Sequence, residues 1–455
     1  MKKSIKKIIS MMLAMVIFST LCLGCSKDNA TDDGTAETTD SKAEAVTTET
    51  GTQEVKIDNI NLWYTDEVLT QYLTNCAIHF REENGVGVNL NLISSVDYVE
   101  NIYQGTKEGN VADVYIINTE SLEKAYLAGI AAENTQPEYT SVNYPQIALN
   151  ASTYHGKLVG YPLYYDTTFF MYNKDYVEAP LTFEDIIEFA NVYMGEYEGI
   201  ETILQWDVHD LFFSYGFVGA YLDFGGACGD DASIINIANK EVIEALTAFK
   251  QINQSLYFDA ADSNYEDVLA DFLAGKILYT MGSTADLEEI IVADINYGIC
   301  TLPMINEELN TKPVSINYTA VVNPYSSNKE MAAALAKGIT YEHAEEFYSY
   351  VKRLPARKLS EYPNAEWQHI AEQYESSTIL PKLMSTTNYW LELESMLNNI
   401  WDRQLDEETE IEIEDDTLTE DEQMQIRQAY VANIIRTFVT EDVNMLQALM
   451  EQQIN

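Results

Sequence analysis

Residues 60–93, INLWYTDEVLTQYLTNCAIHFREENGVGVNLNLI, decide the fold class of this chain. The short apolar runs at 60–63 and 86–93 are typical of strands, and Asn84-Gly85 marks the end of a helix between them. A strand-helix-strand run of this length predicts parallel strands with a helix packed on one face. The helix is indicated by apolar residues at intervals of three and four, namely Val68, Leu69, Tyr72, Leu73, Cys76 and Phe80.

The alternation of strands and helices continues along the chain after residue 93. A helical segment near 99–104 and a strand at 111–117 complete a β-α-β-α-β run. Thr182-Phe183-Glu184-Asp185 predicts a helix start with a reciprocal cap. Further helices are predicted at 242–252 and 265–274, the second ended by Gly275, and further strands at 277–281 and 296–302. Two α/β regions are therefore expected.

The N-terminus predicts export. Four lysines precede an apolar run at 8–18 that is too short to span a membrane comfortably, and Gly24-Cys25 resembles a bacterial lipobox. We expect residues 1–24 to be a lipoprotein signal peptide and Cys25 to carry the lipid, although Cys22 departs from the usual pattern. An ordinary secretory signal is the alternative. Residues 25–53, rich in Thr, Asp, Glu and Ala, are expected to be a disordered tether.

Charge and cysteine content exclude several classes of protein. The formal net charge of −47 predicts a surface that repels nucleic acid and anionic lipid head groups. The cysteines beyond the N-terminus are scattered without a CxxC, which argues against a disulfide framework or a zinc site, and Cys76 and Cys300 are expected in the core. The acidic run 406–422 is expected to be a solvated insertion. A cation site is the alternative, but the run lacks the pattern of a calcium loop.

One stretch carries a family resemblance. YHGKLVGYPLYYD at 154–166, followed by MYNKD at 171–175, resembles a segment of extracellular solute-binding proteins of the maltose-binding type, the family 1 receptors of sugar ABC transporters. Five further stretches resemble that family in the right order across roughly residues 55–455. They are LTFED at 181–185, FLAGKILYTMG at 272–282, YGICTLP at 297–303, NKE at 328–330 and LPAR at 354–357.

The resemblance implies a two-lobed α/β fold with ligand in the cleft between lobes joined by hinge crossovers. It implies an N-terminal lobe of residues 54–165 plus 319–360 and a C-terminal lobe of 166–318 plus 361–455. The crossings are expected near 165–168, 315–319 and 360–366. It further implies a monomeric receptor, lipid-anchored on the extracytoplasmic face of the cell membrane, that closes on a sugar or oligosaccharide and delivers it to ABC permease subunits.

The resemblance also indicates which residues contact ligand, because sugars need carboxylates for paired hydroxyls and aromatic faces for their C–H faces. Asp166 matches a carboxylate at the first crossing, with a hinge or turn role as the alternative. Trp390 matches a stacking aromatic, with a core role as the alternative. Asp66 is a candidate that could equally be a helix N-cap. The remaining candidates are Tyr64, Glu120, Tyr165, Trp206, Asp207 and Thr284.

Two departures from maltose binders concern aromatic platforms. Ile117 and Thr284 stand where that family carries stacking tryptophans, which argues against copying maltodextrin directly as the ligand.

No enzyme is predicted. The chain has 73 acidic residues, so paired carboxylates arise by chance, and no nucleophile elbow, P-loop, HExxH or dinucleotide fingerprint is evident. No cofactor or metal is expected. A surface sensory or adhesion module on the same fold is the main alternative to the importer receptor, and an exported glycoside hydrolase is a second one.

Overall fold

The computed structural model describes residues 59–454 except 194, 196, 257–262, 387 and 406–417. The expectations for the signal peptide, Cys25 and the tether lie outside the described residues, as does most of the acidic run. Residues 59–454 belong to one compact unit.

Thirteen strands and fourteen helices follow one another along the described residues. The strands are β1 (Ile60–Tyr64), β2 (Val88–Leu92), β3 (Val114–Asn118), β4 (Thr153–Tyr154), β5 (Lys157–Leu158), β6 (Tyr161–Asn173), β7 (Thr202–Leu204), β8 (Asp223–Gly225), β9 (Asp231–Asn236), β10 (Ile277–Ser283), β11 (Tyr297–Cys300), β12 (Val314–Val322) and β13 (Thr378–Ile379). The helices are α1 (Thr70–Asn84), α2 (Tyr98–Glu108), α3 (Leu122–Leu127), α4 (Gln146–Ala151), α5 (Phe183–Val192), α6 (Leu211–Ser214), α7 (Lys240–Leu256), α8 (Tyr265–Leu273), α9 (Leu287–Val292), α10 (Lys329–Lys337), α11 (Phe347–Val351), α12 (Trp367–Ser376), α13 (Tyr389–Asp402) and α14 (Glu420–Ile454).

The principal sheet has the strand order β2-β1-β3-β12-β6-β10-β7, with β11 paired to β6 and β13 paired to β12. The pairs β1–β2, β1–β3 and β10–β7 are parallel, as the βαβ pattern predicts. The strands β3–β12, β12–β6 and β6–β10 pair antiparallel. Parallel units at each end of the sheet are thus joined by two long antiparallel strands, β12 and β6.

The predicted helix boundaries follow from local chemistry. Gly85 ends α1 with a φ of 69°, in the left-handed region that glycine tolerates. Thr182 accepts a hydrogen bond from the Asp185 amide, while the Asp185 carboxylate accepts from the Thr182 amide, which is the predicted reciprocal cap. Thr419 and Glu422 make the same kind of pair at the start of α14. Residues 420–422, assigned above to the acidic insertion, are therefore the first turn of a helix.

The apolar core lies on both faces of the sheet and divides into three clusters. The largest two surround Tyr164 at one end of the sheet and Trp206 at the other, and the third surrounds Tyr115. Cys76 is fully buried, as predicted. Cys300, predicted as a core thiol, is half-buried and packs against the core cluster that surrounds Trp206. Within the described residues, no helix is long and apolar enough to cross a membrane.

Candidate functional site

The strand β6 connects the two ends of the sheet and places Asp166 between them. Its residues up to Thr167 pair with β12, whereas Thr168 and the following residues pair with β10 and β11. The change of partner falls within the crossing predicted at 165–168, and β12 spans the crossing predicted at 315–319. The third expected crossing, at 360–366, contains no strand. A cleft at the level of β6 is therefore bordered by segments from both ends of the sheet.

The first cavity in this cleft has a volume of about 270 Å³ and brings Glu120 and Trp390 together. One wall comes from the end of β3 and the start of α3, and includes Asn118 and Lys124. The rest of the lining comes from residues 380–384 and the start of α13, including Trp390. The Trp390 ring is half-buried and lies parallel to the Tyr215 ring at 6.2 Å. The predicted carboxylate and the predicted stacking aromatic thus line one space.

The Glu120 carboxyl lies in the cavity wall, and desolvation there raises its pKa above the usual range of a glutamate, although the residue as a whole is exposed. Among the described residues, Lys124 makes no ion pair, so its ammonium is available to a ligand in either cavity that it lines.

A second cavity of about 330 Å³ adjoins the first, since Asn118, Ser121 and Lys124 line both. Its remaining lining comes from Thr65, Ser95, Asp97, Tyr98, Val99, Ile117 and Tyr318. Ile117, the predicted departure from a stacking tryptophan, therefore does face a cavity. Tyr98 and Tyr318 supply aromatic surface in the same space.

A charged cluster lies beside the second cavity. The Tyr318 ring stacks on the Tyr164 ring at 4.2 Å, and the Tyr164 hydroxyl donates to Asp66 Oδ2 at 3.3 Å. Arg353 Nη1 lies 3.1 Å from the same Asp66 oxygen, and Arg353 Nε lies 3.7 Å from Asp166 Oδ1. Two of the predicted carboxylates are therefore held together by one arginine.

Asp166 is buried, and its surroundings set its charge. Desolvation raises the pKa of Asp166 to about 6, against the opposing effects of Arg353 and of a hydrogen bond from Thr284 Oγ1 at 3.4 Å. Asp66 has a second role as well, because its Oδ1 accepts from the Val68 amide at 3.1 Å. The N-cap and the site assignment for Asp66 are thus compatible.

Four predicted contact residues lie elsewhere, and we do not retain them as ligand contacts. Trp206 is fully buried among Phe183, Phe217 and Trp401. Asp207 caps local backbone, accepting from the amides of Asp210 and Tyr265. Tyr64 is buried with its hydroxyl 3.0 Å from Thr70 Oγ1, and Tyr165 stacks on Tyr374 at 3.5 Å. Trp206, Tyr64 and Tyr165 therefore pack in the core, whereas Asp207 is half-buried and serves as a local cap.

Thr284 occupies an intermediate position. It is fully buried, and its hydroxyl accepts from the Thr167 amide at 3.0 Å while donating to Asp166. It therefore acts on a ligand only by orienting Asp166.

Sequence reasoning missed Arg353 and Tyr318. A signal for Arg353 exists, since Lys and Arg number 26 against 73 acidic residues and this arginine directly precedes the LPAR stretch. A scarce cation next to a family motif is a candidate partner for buried carboxylates. Tyr318 carries no such signal, because tyrosine is abundant in this chain.

Comparisons with known proteins address the family of the chain. The sequence profile of the family described as bacterial extracellular solute-binding protein matches residues 77–372. The maltodextrin-binding protein MdxE of Bacillus subtilis (strain 168) is 24% identical over 352 residues, which cover 73% of this chain and 82% of that protein. The galactooligosaccharide-binding protein of the same organism is 22% identical over 350 residues, covering 74% of this chain and 83% of that protein.

Solved structures show the fold. The extracellular solute-binding protein from Staphylococcus aureus in complex with maltose has a TM-score of 0.68 at 18% identity, covering 86% of this chain and 98% of that one. A cyclo/maltodextrin-binding protein complexed with maltotetraose has a TM-score of 0.67 at 16% identity, covering 87% and 98%. The fold is thus the predicted two-lobed α/β fold of periplasmic binding proteins. Because the family profile spans well over half of its residues, the chain belongs to the bacterial extracellular solute-binding proteins, which are binding proteins and not enzymes.

Proposed function

We propose that this protein is the carbohydrate-binding receptor of an ABC importer, and that it captures an oligosaccharide in the cleft whose cavities Trp390, Glu120 and Tyr318 line, beside the buried Asp166. The observation that carries the proposal is the cavity that both Glu120 and Trp390 line. A carboxyl group and an aromatic side chain in one cavity provide the two kinds of contact that sugar hydroxyls and C–H faces require. Relatives named for maltodextrin and galactooligosaccharide binding support the same ligand class.

A thermal-shift screen tests the ligand class. Maltose, maltotriose, maltotetraose and galactooligosaccharides are added to the purified protein, because a ligand that binds only the folded state stabilises it, by about 2.7 kcal/mol at a hundredfold excess over Kd. At least one of these sugars is expected to raise the melting temperature. A shift produced by a peptide or polyamine, with none produced by any sugar, would refute the assignment.

Capture by hinge closure is part of the same proposal. The crossing strands β6 and β12 are the connections about which two lobes could rotate. Small-angle X-ray scattering with the sugar identified in the screen is expected to give a smaller radius of gyration than the protein alone. An unchanged scattering curve at saturating sugar would exclude closure while leaving binding intact.

Delivery to permease subunits completes the proposal and follows from the family. Deleting the gene is expected to abolish uptake of the identified sugar by intact cells, and re-expression to restore it. Unchanged uptake together with a lost transcriptional response to the sugar would favour the sensory alternative.

A further inference from the structure

Arg353 is fixed in place by the backbone that surrounds it. It follows the short helix α11 and Lys352, which adopts a left-handed φ of 60° and turns the chain. The next residues dock on β6, because the Ala356 amide donates to the Leu163 carbonyl at 2.9 Å and Pro355 bridges to Tyr164. The start of the Arg353 side chain is therefore held against the crossing strand.

The guanidinium interacts with carboxyl groups from three different segments of the chain. It pairs with Asp66 of the loop after β1 at 3.1 Å and with Asp166 of β6 at 3.7 Å. Burial raises the pKa of Asp286, in the turn after β10, and the charge of Arg353 opposes that rise. The guanidinium lies 5.6 Å from the centroid of the Tyr164 ring, and only about a fifth of the side chain is exposed. Partial burial makes these interactions stronger than those of a surface ion pair.

The charge state of Asp166 decides what it can do for a sugar. An ionised carboxylate only accepts hydrogen bonds, whereas a protonated one also donates. Burial and the nearby Asp66 and Asp286 favour protonation of Asp166, while Arg353 and Thr284 oppose it. Tyr164, Tyr165 and Tyr318 also interact with Asp166, and all three are neutral hydroxyls because their pKa values are raised by burial.

We infer that Arg353 is a positioning residue of the sugar site, which pairs with Asp66 and Asp166 and orients both carboxyl groups so that they accept ligand hydroxyls. The inference rests on the proposed function, and it includes that the guanidinium keeps Asp166 ionised at near-neutral pH. Without the guanidinium, three carboxylates would converge with no cation between them, and Asp166 would take up a proton.

The test compares Arg353→Met with two controls. Arg353→Lys keeps the charge, and Arg357→Met removes a similarly half-buried arginine of the same loop that contacts Glu345 and the Tyr341 carbonyl instead. The ionisation of Asp166 is followed by ¹³C NMR of aspartate-labelled protein, with its resonance assigned from Asp166→Asn. The pH midpoint of the Asp166 titration is expected to rise in Arg353→Met and to stay close to the wild-type value in both controls.

A binding readout accompanies the titration. Calorimetry with maltotriose between pH 5 and pH 8 is expected to show the loss of affinity on acidification at a higher pH in Arg353→Met than in wild type. For a midpoint raised by one unit, the variant would be about fivefold weaker at pH 6, relative to wild type at the same pH. Both readouts differ from those of a residue that only stabilises the fold.

The outcomes separate the two proposals. An unchanged Asp166 midpoint in a folded Arg353→Met variant overturns the positioning role, whichever sugar binds. A raised midpoint in a protein that binds no sugar at any pH overturns the proposed function and the ligand part of this inference. If Arg353→Met does not fold, Arg353→Lys and Asp66→Asn are compared instead. The inference is overturned if the pH midpoint of the Asp166 titration shifts as far from wild type in Arg353→Lys as it does in Asp66→Asn.

Discussion

Trp390 is the residue at which aromatic contact with a ligand is most direct. Its ring lines the first cavity and is held parallel to Tyr215, so its position is set before any ligand arrives. We expect Trp390→Ala to weaken sugar binding at least about tenfold, on the order of 1.4 kcal/mol. Trp390→Phe should lose less, and Leu391→Ala, at an exposed neighbour, should lose nothing. Calorimetry decides this, and equal affinities for wild type and a folded Trp390→Ala would contradict the stacking role.

Asp166 makes both folding stability and sugar binding depend on pH. Its pKa of about 6 lies above the ordinary 3.8, so the folded state holds a proton that the unfolded state releases between these values. Folding stability therefore decreases as pH rises through this window, and Asp166→Asn should melt at a higher temperature than wild type at pH 7.

Sugar affinity should change in the opposite sense, falling in wild type as pH drops below about 6 because the carboxylate becomes protonated. In Asp166→Asn the affinity should be at least about tenfold weaker at pH 7 and nearly independent of pH. A pH profile identical to that of wild type would exclude Asp166 as the titrating group.

Among the connecting segments, residues 380–384 form one wall of the first cavity and are held by a buried lysine. Lys382 Nζ donates to the carbonyls of Asn150 and Thr153 at 2.8 Å and of Cys228 at 2.6 Å. Burial lowers the pKa of Lys382 from 10.5 to about 8, while Cys228 and Asp230 act weakly in the other direction.

For this segment the sign of the pH effect follows from proton binding. Between pH 8 and 10.5 the unfolded chain keeps a proton on Lys382 that the folded chain loses, so stability rises with pH. Relative to Lys382→Met, the free energy of unfolding of wild type should increase across this window by at most about 3 kcal/mol. Urea titrations measure it, and Lys329→Met, at an exposed helix start, is the control. If the free energy of unfolding changes with pH in the same way in wild type and in Lys382→Met, the lowered pKa of Lys382 is contradicted.

At the scale of the whole molecule, the proposed lipid anchor determines where the receptor acts. Cys25 is proposed to be acylated, and two or more acyl chains hold a protein stably on a membrane. Cys25→Ser should release the protein into the medium and abolish labelling by palmitate. Cys22→Ser, three residues earlier, should remain labelled and membrane-bound. Retention of Cys25→Ser on the membrane would refute the anchor.

Local sequence determined those features whose causes are local. The strand-helix alternation, the end of α1 at Gly85 and the reciprocal cap of Thr182 with Asp185 depend on residues within a few positions of one another. The strand-helix alternation that begins at residue 60 determined the α/β class, and the family motifs predicted the two-lobed form of that fold. Asp166 was found in this way, since it lies within the motif itself.

Only the tertiary structure decided which side chains reach the cleft. Trp206 and Trp390 are indistinguishable as aromatic residues, yet the first is enclosed by helices and the second lines a cavity. Arg353 meets Asp66 across 287 positions of chain, and no local period predicts such a contact. The sequence by itself determined the strand-helix alternation and the fold class. The packing of distant segments decided the charge and geometry of the site, because burial and ion pairing depend on neighbours in space.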